Sequence, residues 1–410
     1  MAVYQAPGVY IEEVEGGSRP IQGVATAVAA FVGFTEKSPP ADVGTGPTLV
    51  TNWSQYERMF GGIIEGAMLP HAVYGYFANG GGRAYIVKVP HLDGEDGQEA
   101  PRNPLPVAAD DLNGNEAERR GIAGLAVAED VTMVAVPDLV TIARGADGVV
   151  DMTTWNAVQT ALIGHCEQQK DRMAVLDSPP GMSPPQVLEW RTAAGLDSAF
   201  AALYYPHIKI TNPLARPNNE LPKMLTVPPS GHLAGLWART DGVGVWKAPA
   251  NEVLRGALDL EYKMTTGEQE ILNPVGINAI RAFGVRGIRV WGARTTSSDP
   301  LWRYLNVRRL FNYIEDSLIG GTQWVVFEPN DANLWARARR TVNGFLLGLW
   351  RAGAMVGATP EAGFYVKCDA ETNPMESVDE GRLVIEIGVA PVKPAEFVII
   401  RIAQWAGPGA

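Results

Sequence analysis

A chain of 410 residues is long enough to bury a substantial core in one large domain or two. Apolar residues make up 46% and charged residues 19%, ordinary globular usage that excludes wholesale disorder and a fibrous repeat. The net charge of -11 excludes nucleic acid as an expected partner, and two cysteines, Cys166 and Cys368, exclude a disulfide framework.

The chain opens with Pro7, Gly8, Gly16, Gly17 and Pro20 around the run Val9, Tyr10, Ile11, Glu12, Glu13 and Val14, which predicts an arm carrying one strand. Its start lacks a basic segment followed by an apolar one, so no secretory signal and cytoplasmic synthesis are expected. Residues 24–34 are small, β-branched and apolar and predict a core strand. Helices follow over 52–60, closed by Gly61 and Gly62, and over 70–79, stopped by three glycines, before a strand over 83–89. Residues 91–121 are acidic and rich in Pro, Gly and Asn, predicting an exposed loop or small insertion.

Alternation resumes with a strand over 131–136, a helix carrying Trp155, Val158, Leu162 and Cys166, and a strand over 173–176. A helix over 186–194 and a strand over 199–205 continue it. Strands alternating with helices predict an α/β fold, a mixed and mostly parallel sheet with covering helices. Seven prolines between 206 and 250 predict extended loops. Beyond them come a strand over 287–291, a helix over 301–317, a strand over 324–327 and a long helix from Asn330. At 100° per residue, Leu334, Trp335, Ala338, Val342, Phe345 and Leu349 share one face of that helix, and Arg337, Arg340 and Arg351 point the other way.

The sequence from 382 to 389 alternates as a strand should, Pro391 and Pro394 interrupt it, and a second strand is predicted over 396–403. There Val398, Ile400 and Ile402 face one side while Phe397 and Ile399 face the other, so the strand needs burial on both. It could fold back on its own sheet or dock on a neighbour's edge. The division is thus an N-terminal strand arm (1–20), a first part of the core (21–90), the insertion (91–121), a middle α/β region (122–285), a C-terminal core (286–390) and a C-terminal strand arm (391–410). The apolar stretch over 342–358 carries Arg351 and falls short of the ~20 residues of a membrane span.

Catalytic signatures do not emerge. The five histidines include no pair at i, i+4, no G-x-S-x-G or C-x-x-C motif occurs, and the glycines at 80–82 follow a helix instead of opening one. Glu12 and Glu13, adjacent on a strand, point to opposite faces and cannot share a substrate. No catalytic, cofactor or metal residues are assigned, and the expectation is a protein that is not an enzyme. Two other readings stand against it, an α/β enzyme with a ligand site in the proline-rich middle and a secreted binding module using the acidic loop.

The run Tyr4 to Val14, with Arg19, Pro20, Ile21 and the stretch 24–33, resembles the start of contractile tail sheath proteins. Further blocks resemble the same family: Gly287-Ile288-Arg289-Val290-Trp291-Gly292-Ala293-Arg294-Thr295, then Tyr304 to Arg309, Phe327-Glu328-Pro329-Asn330, and Val389 to Phe397. The resemblance covers most of 1–90 and 245–405 and is weaker over 91–244. It implies a subunit stacked in hexameric rings around an inner tube protein, made in the bacterial cytoplasm and meeting baseplate and terminal cap proteins, without membrane contact. On that basis Val9, Tyr10, Ile11, Val14, Phe397, Val398, Ile399, Ile400 and Ile402 are inter-subunit strand candidates. Gly16, Gly17, Pro20, Pro391 and Pro394 are hinge candidates, and Arg337, Arg340 and Arg351 are candidate contacts to an acidic tube.

Overall fold

The computed structural model describes residues 20–40, 46–89, 109–145 and 148–401. They form two compact units: one runs from Val24 to Asp316 and resumes at Pro391, and the other comprises Ser317–Ala390 with residues 20–23.

In the larger unit the elements run β1 (Val28–Gly33), β2 (Thr48–Val50), α1 (Trp53–Phe60), α2 (Leu69–Asn79), β3 (Arg83–Lys88), α3 (Ala109–Asn113), β4 (Met133–Ala135), α4 (Leu139–Ile142), α5 (Met152–Gln169), β5 (Met173–Asp177), α6 (Pro184–Ala194) and β6 (Ala201–Tyr205). There follow β7 (Ile208–Thr211), β8 (Met224–Val227), α7 (Ser230–Thr240), β9 (Asp259–Leu260), α8 (Thr266–Leu272), β10 (Ile277–Ala282), β11 (Ile288–Val290) and α9 (Leu305–Thr322), whose last turns belong to the smaller unit. Eight strands form one mixed sheet in the order β11-β10-β6-β5-β4-β1-β3-β2. Its inner six strands are parallel and its two edge strands antiparallel. A second sheet, β8-β7-β9, is antiparallel.

Because side chains alternate across a strand, β1 sends Ala30 and Val32 into one apolar layer and Ala29 and Phe31 into the other. The first layer holds Trp155, Leu162 and Cys166 of α5 with Val187 and Trp190 of α6. The second holds Tyr56 and Phe60 of α1, Tyr76 of α2, and Leu233 and Trp237 of α7. Glycines let α2 and α7 approach closely: a Cβ at Gly231 would lie 2.3 Å from the Ala72 Cα, and one at Gly235 2.3 Å from the Tyr76 carbonyl. The buried Asp138 carboxylate accepts from the main-chain N–H groups of Phe34 (2.7 Å), Met68 (2.5 Å) and Leu69 (3.2 Å), tying the end of β1 to the start of α2.

In the smaller unit Asp331 caps α10 (Ala332–Arg351) by accepting from Leu334 N at 2.8 Å. After it come α11 (Pro360–Gly363), β12 (Phe364–Lys367), α12 (Met375–Asp379) and β13 (Glu386–Val389), and β12 and β13 pair as an antiparallel ribbon.

Several expectations change. The region 206–250 is not merely looped: β7 and β8 flank a turn holding Pro213, Pro217 and Pro222, and α7 starts directly after Pro228 and Pro229. Prolines mark that helix's start, where their missing N–H costs nothing. Of the stretch 91–121, read as an exposed loop or small insertion, residues 114–120 are exposed or half-buried while α3 buries Leu112 in the core; 90–108 lie outside the described residues. The strand expected over 324–327 is a 3₁₀ turn (Gln323–Val325), followed by Phe327 at φ +69, a left-handed conformation that cannot continue a strand. The strand expected over 382–389 is confined to β13. The buried face of α10 takes Thr341 and Leu346, with Trp335 and Phe345 only half-buried.

Candidate assembly surfaces

The C-terminal segment leaves β13 at Val389, and Ala390 is held on both sides, donating to the Gly363 carbonyl at 2.8 Å and accepting from Val356 N at 3.0 Å. Pro391 and Pro394, the hinge candidates, are half-buried. Between them, the Val392 carbonyl accepts from the Asn306 side chain at 3.1 Å. Glu396 then meets Arg294, with Nε to Oε1 at 2.9 Å and Nη2 to Oε2 at 2.5 Å, and Tyr304 Oη donates to Oε2 at 3.3 Å. The carboxylate raises the Arg294 pKa above its ordinary value, chiefly through those hydrogen bonds.

Past Glu396 the environment reverses. Phe397, Val398, Ile399 and Ile400 are 74–80% exposed. The strand expected over 396–403 does not form in residues 396–401, which make no ladder with any described strand. An extended segment without a neighbour's N–H and C=O groups has nothing to define it as a strand. Ile402 lies outside the described residues, as do Val9, Tyr10, Ile11, Val14, Gly16 and Gly17. Of the N-terminal candidates only Pro20 is described, and it is exposed. Just after it, Ile21 packs so closely on Gly321 that a Cβ there would lie 2.6 Å away.

The ribbon β12–β13 is rooted by Phe364, which is buried, and by Asn373, whose side chain accepts from Val384 N (2.7 Å) and donates to the Val384 carbonyl (3.1 Å). Asn373 thus supplies residue 384 with the bonds a strand partner would make, which explains why the alternating pattern over 382–385 is not a ladder. Each strand of the ribbon has one edge without a partner among the described residues. Beside it an open groove of about 640 Å³ is lined by Val325, Val326, Phe327, Leu334, Leu383 and Ile385. Sequence reasoning missed β12 and the groove: residues 364–367 are too short and mixed to signal a strand alone.

On α10, Arg337, Arg340 and Arg351 share one exposed face. Arg337 is already engaged, donating to Glu328 at 2.8 Å and lying 5.3 Å from the Trp324 ring centroid. Such a pair at half-exposed positions is worth little and is readily exchanged. Among the described residues no cluster of His, Cys, Asp or Glu could hold a metal, and no helix is long and apolar enough to cross a membrane.

Residues 132–296 match the phage tail sheath protein central domain and residues 297–404 the phage tail sheath C-terminal domain. The match runs through 132–244, where the resemblance read from sequence was weaker. The chain is 30% identical to the helical sheath of the anti-feeding prophage in its contracted state, with a TM-score of 0.73 over 98% of this chain and 100% of that one. It is 32% identical to a chain of the anti-feeding prophage baseplate, with a TM-score of 0.72 over 98% of this chain and 99% of that one. The tail sheath protein of Vibrio phage KVP40 is 28% identical over 180 residues, 43% of this chain and 26% of that protein. Against other curated sheath relatives the chain spans 48% and 62% of their lengths, so it matches only part of each. These matches define the class, a structural α/β protein of contractile tails. The chain belongs to the phage tail sheath family.

Proposed function

We propose that this chain is the sheath subunit of a contractile injection particle. It assembles as hexameric rings stacked around an inner tube, and its contraction drives that tube through a target envelope. Neighbouring subunits are linked by donated strands, Val9, Tyr10, Ile11 and Val14 at one end and Phe397 to Ile402 at the other. The observation that carries this reading is the run of four large apolar side chains left in water on a segment that pairs with no strand among the described residues. The sheet is already covered on both faces, so the cover we assign to these side chains is a neighbouring copy. The open-edged ribbon β12–β13 is the receptor that suits them, because a two-stranded ribbon gains stability from a third and fourth strand. Each added strand contributes several main-chain hydrogen bonds at about 1 kcal/mol net apiece, plus apolar burial.

The full-length likeness to the sheath of the anti-feeding prophage and to a PVC sheath complex, both in the contracted state, supports a compact subunit of a phage-like particle. In such a particle this chain meets the tube protein on its inner side and the baseplate and terminal cap proteins at the ends. Deleting residues 1–18 or 397–410 is expected to leave a folded protein that forms no tubes in negative-stain micrographs. Ring-banded tubes from either truncated chain would refute strand donation.

A further inference from the structure

We infer that the contact of Glu396 with Arg294 and Tyr304 is a clasp that fixes the root of the C-terminal arm to its own subunit, so that the donated portion begins at Phe397 and not at the prolines. The inference rests on the strand-donation reading and places the boundary of the donated segment within it.

Arg294 is built to receive the carboxylate. Its main chain is held from both sides by the fully buried Asn278, which accepts from Arg294 N at 2.7 Å and donates to the Arg294 carbonyl at 2.8 Å. Nη1 donates to the Asn273 carbonyl at 3.0 Å, which leaves Nε and Nη2 as a fork aimed at Glu396. Tyr304 is brought alongside by the β-bridge that pairs it with Arg294. The side chains of Arg294 and Glu396 are only 9% and 15% exposed. A second tie lies four residues upstream, where Asn306 holds Val392 while also donating to the Trp246 carbonyl at 2.8 Å.

The two sides of residue 396 invert the usual partition of side chains. A carboxylate is drawn into the protein while the next four residues, all large and apolar, stand in water. Withdrawing a charge from water contributes little to the stability of the isolated chain, since desolvation offsets most of the attraction. It does fix position, because a bidentate fork tolerates one orientation of the carboxylate. Residues 391–396 therefore travel with the larger unit, and the orientation of the arm as it leaves the subunit is set at Glu396. Arg294 and Glu396 fall in separate blocks of the sequence that carry the sheath resemblance, 102 positions apart, and only the fold shows that they meet.

The test uses the full-length chain with Glu396→Gln, which keeps a hydrogen-bonding side chain but removes the charge, and with Tyr304→Phe, which removes one bond. Thermal melting verifies that each variant is folded. Hydrogen–deuterium exchange across 391–396 in the unassembled protein reports the clasp, and tube yield by electron microscopy reports arm delivery. Glu396→Gln is expected to speed exchange in that segment and to lower tube yield roughly tenfold, with Tyr304→Phe smaller in the same direction. Folded Glu396→Gln protein with wild-type exchange, or with wild-type tube yield, overturns the clasp. Deletion of 397–410 separates the two ideas. Normal tubes from that deletion sink strand donation itself, whereas lost tubes beside a silent Glu396→Gln sink only the clasp.

Discussion

Three histidines, His71, His165 and His232, are buried, and burial sets their titration. His71 on α2 and His232 on α7 have their pKa values lowered to about 4, His232 chiefly by burial and secondarily by His71 itself; His165 is lowered to about 4 by burial and by Arg172. A histidine whose folded pKa lies below its unfolded one contributes stability that is present above about 6.5 and is lost as pH falls toward 4. Between pH 7 and pH 5, His71 and His232 should each cost about 2 kcal/mol of unfolding free energy. Asp138 and Asp177, raised by burial to about 7 and about 6, shift stability the other way over this window, so guanidinium unfolding at the two pH values is compared between the native chain and a His71→Gln, His232→Gln variant, and the same pH difference in both would contradict neutral burial. The Cys166 thiol is likewise pushed up by burial, which removes it from nucleophilic chemistry. Arg309 shows the opposite treatment of a buried charge: it is paired with Asp241 at 2.9 and 2.7 Å and set over the Trp237 ring at 5.1 Å.

At the level of elements, α7 lies close against α2, and glycine makes the approach possible. Gly231→Ala would place its Cβ against Ala72 main chain and should lower stability by about 1–3 kcal/mol, read as a reduced unfolding midpoint without change in secondary structure. This helix was illegible in the sequence. Its residues Leu233, Ala234, Leu236 and Trp237 are buried along with Ser230, Gly231 and His232, so no polar face gives the 3.6-residue rhythm, and the prolines before it read as loop. By contrast α5 and α6 each announce a core face through Trp155, Val158 and Leu162 and through Val187 and Trp190, and the alternation of strands and helices was enough to indicate the covered sheet. The run Phe397 to Ile400 was legible as apolar on both faces, and that property is what the exposed segment retains. The tie of Glu396 to Arg294 was not legible, because a pair separated by the length of a domain leaves no local period.

At the scale of the whole molecule, the basic face of α10 is the feature that a partner of opposite charge would use. Arg337, Arg340 and Arg351 are exposed on a chain whose net charge is -11, so they form a local exception to the acidic balance. We propose that this face meets an acidic tube protein; reversing all three to Glu should then abolish co-assembly while leaving the fold intact, as high salt should weaken it. Unchanged co-sedimentation with the tube would remove these arginines from the contact. The bare apolar stretch beyond Glu396 bears on how the chain behaves in solution. If a neighbouring copy covers these side chains, as proposed above, solubility and polymerisation become one equilibrium read at two ends, and dilution should shift it toward the free chain.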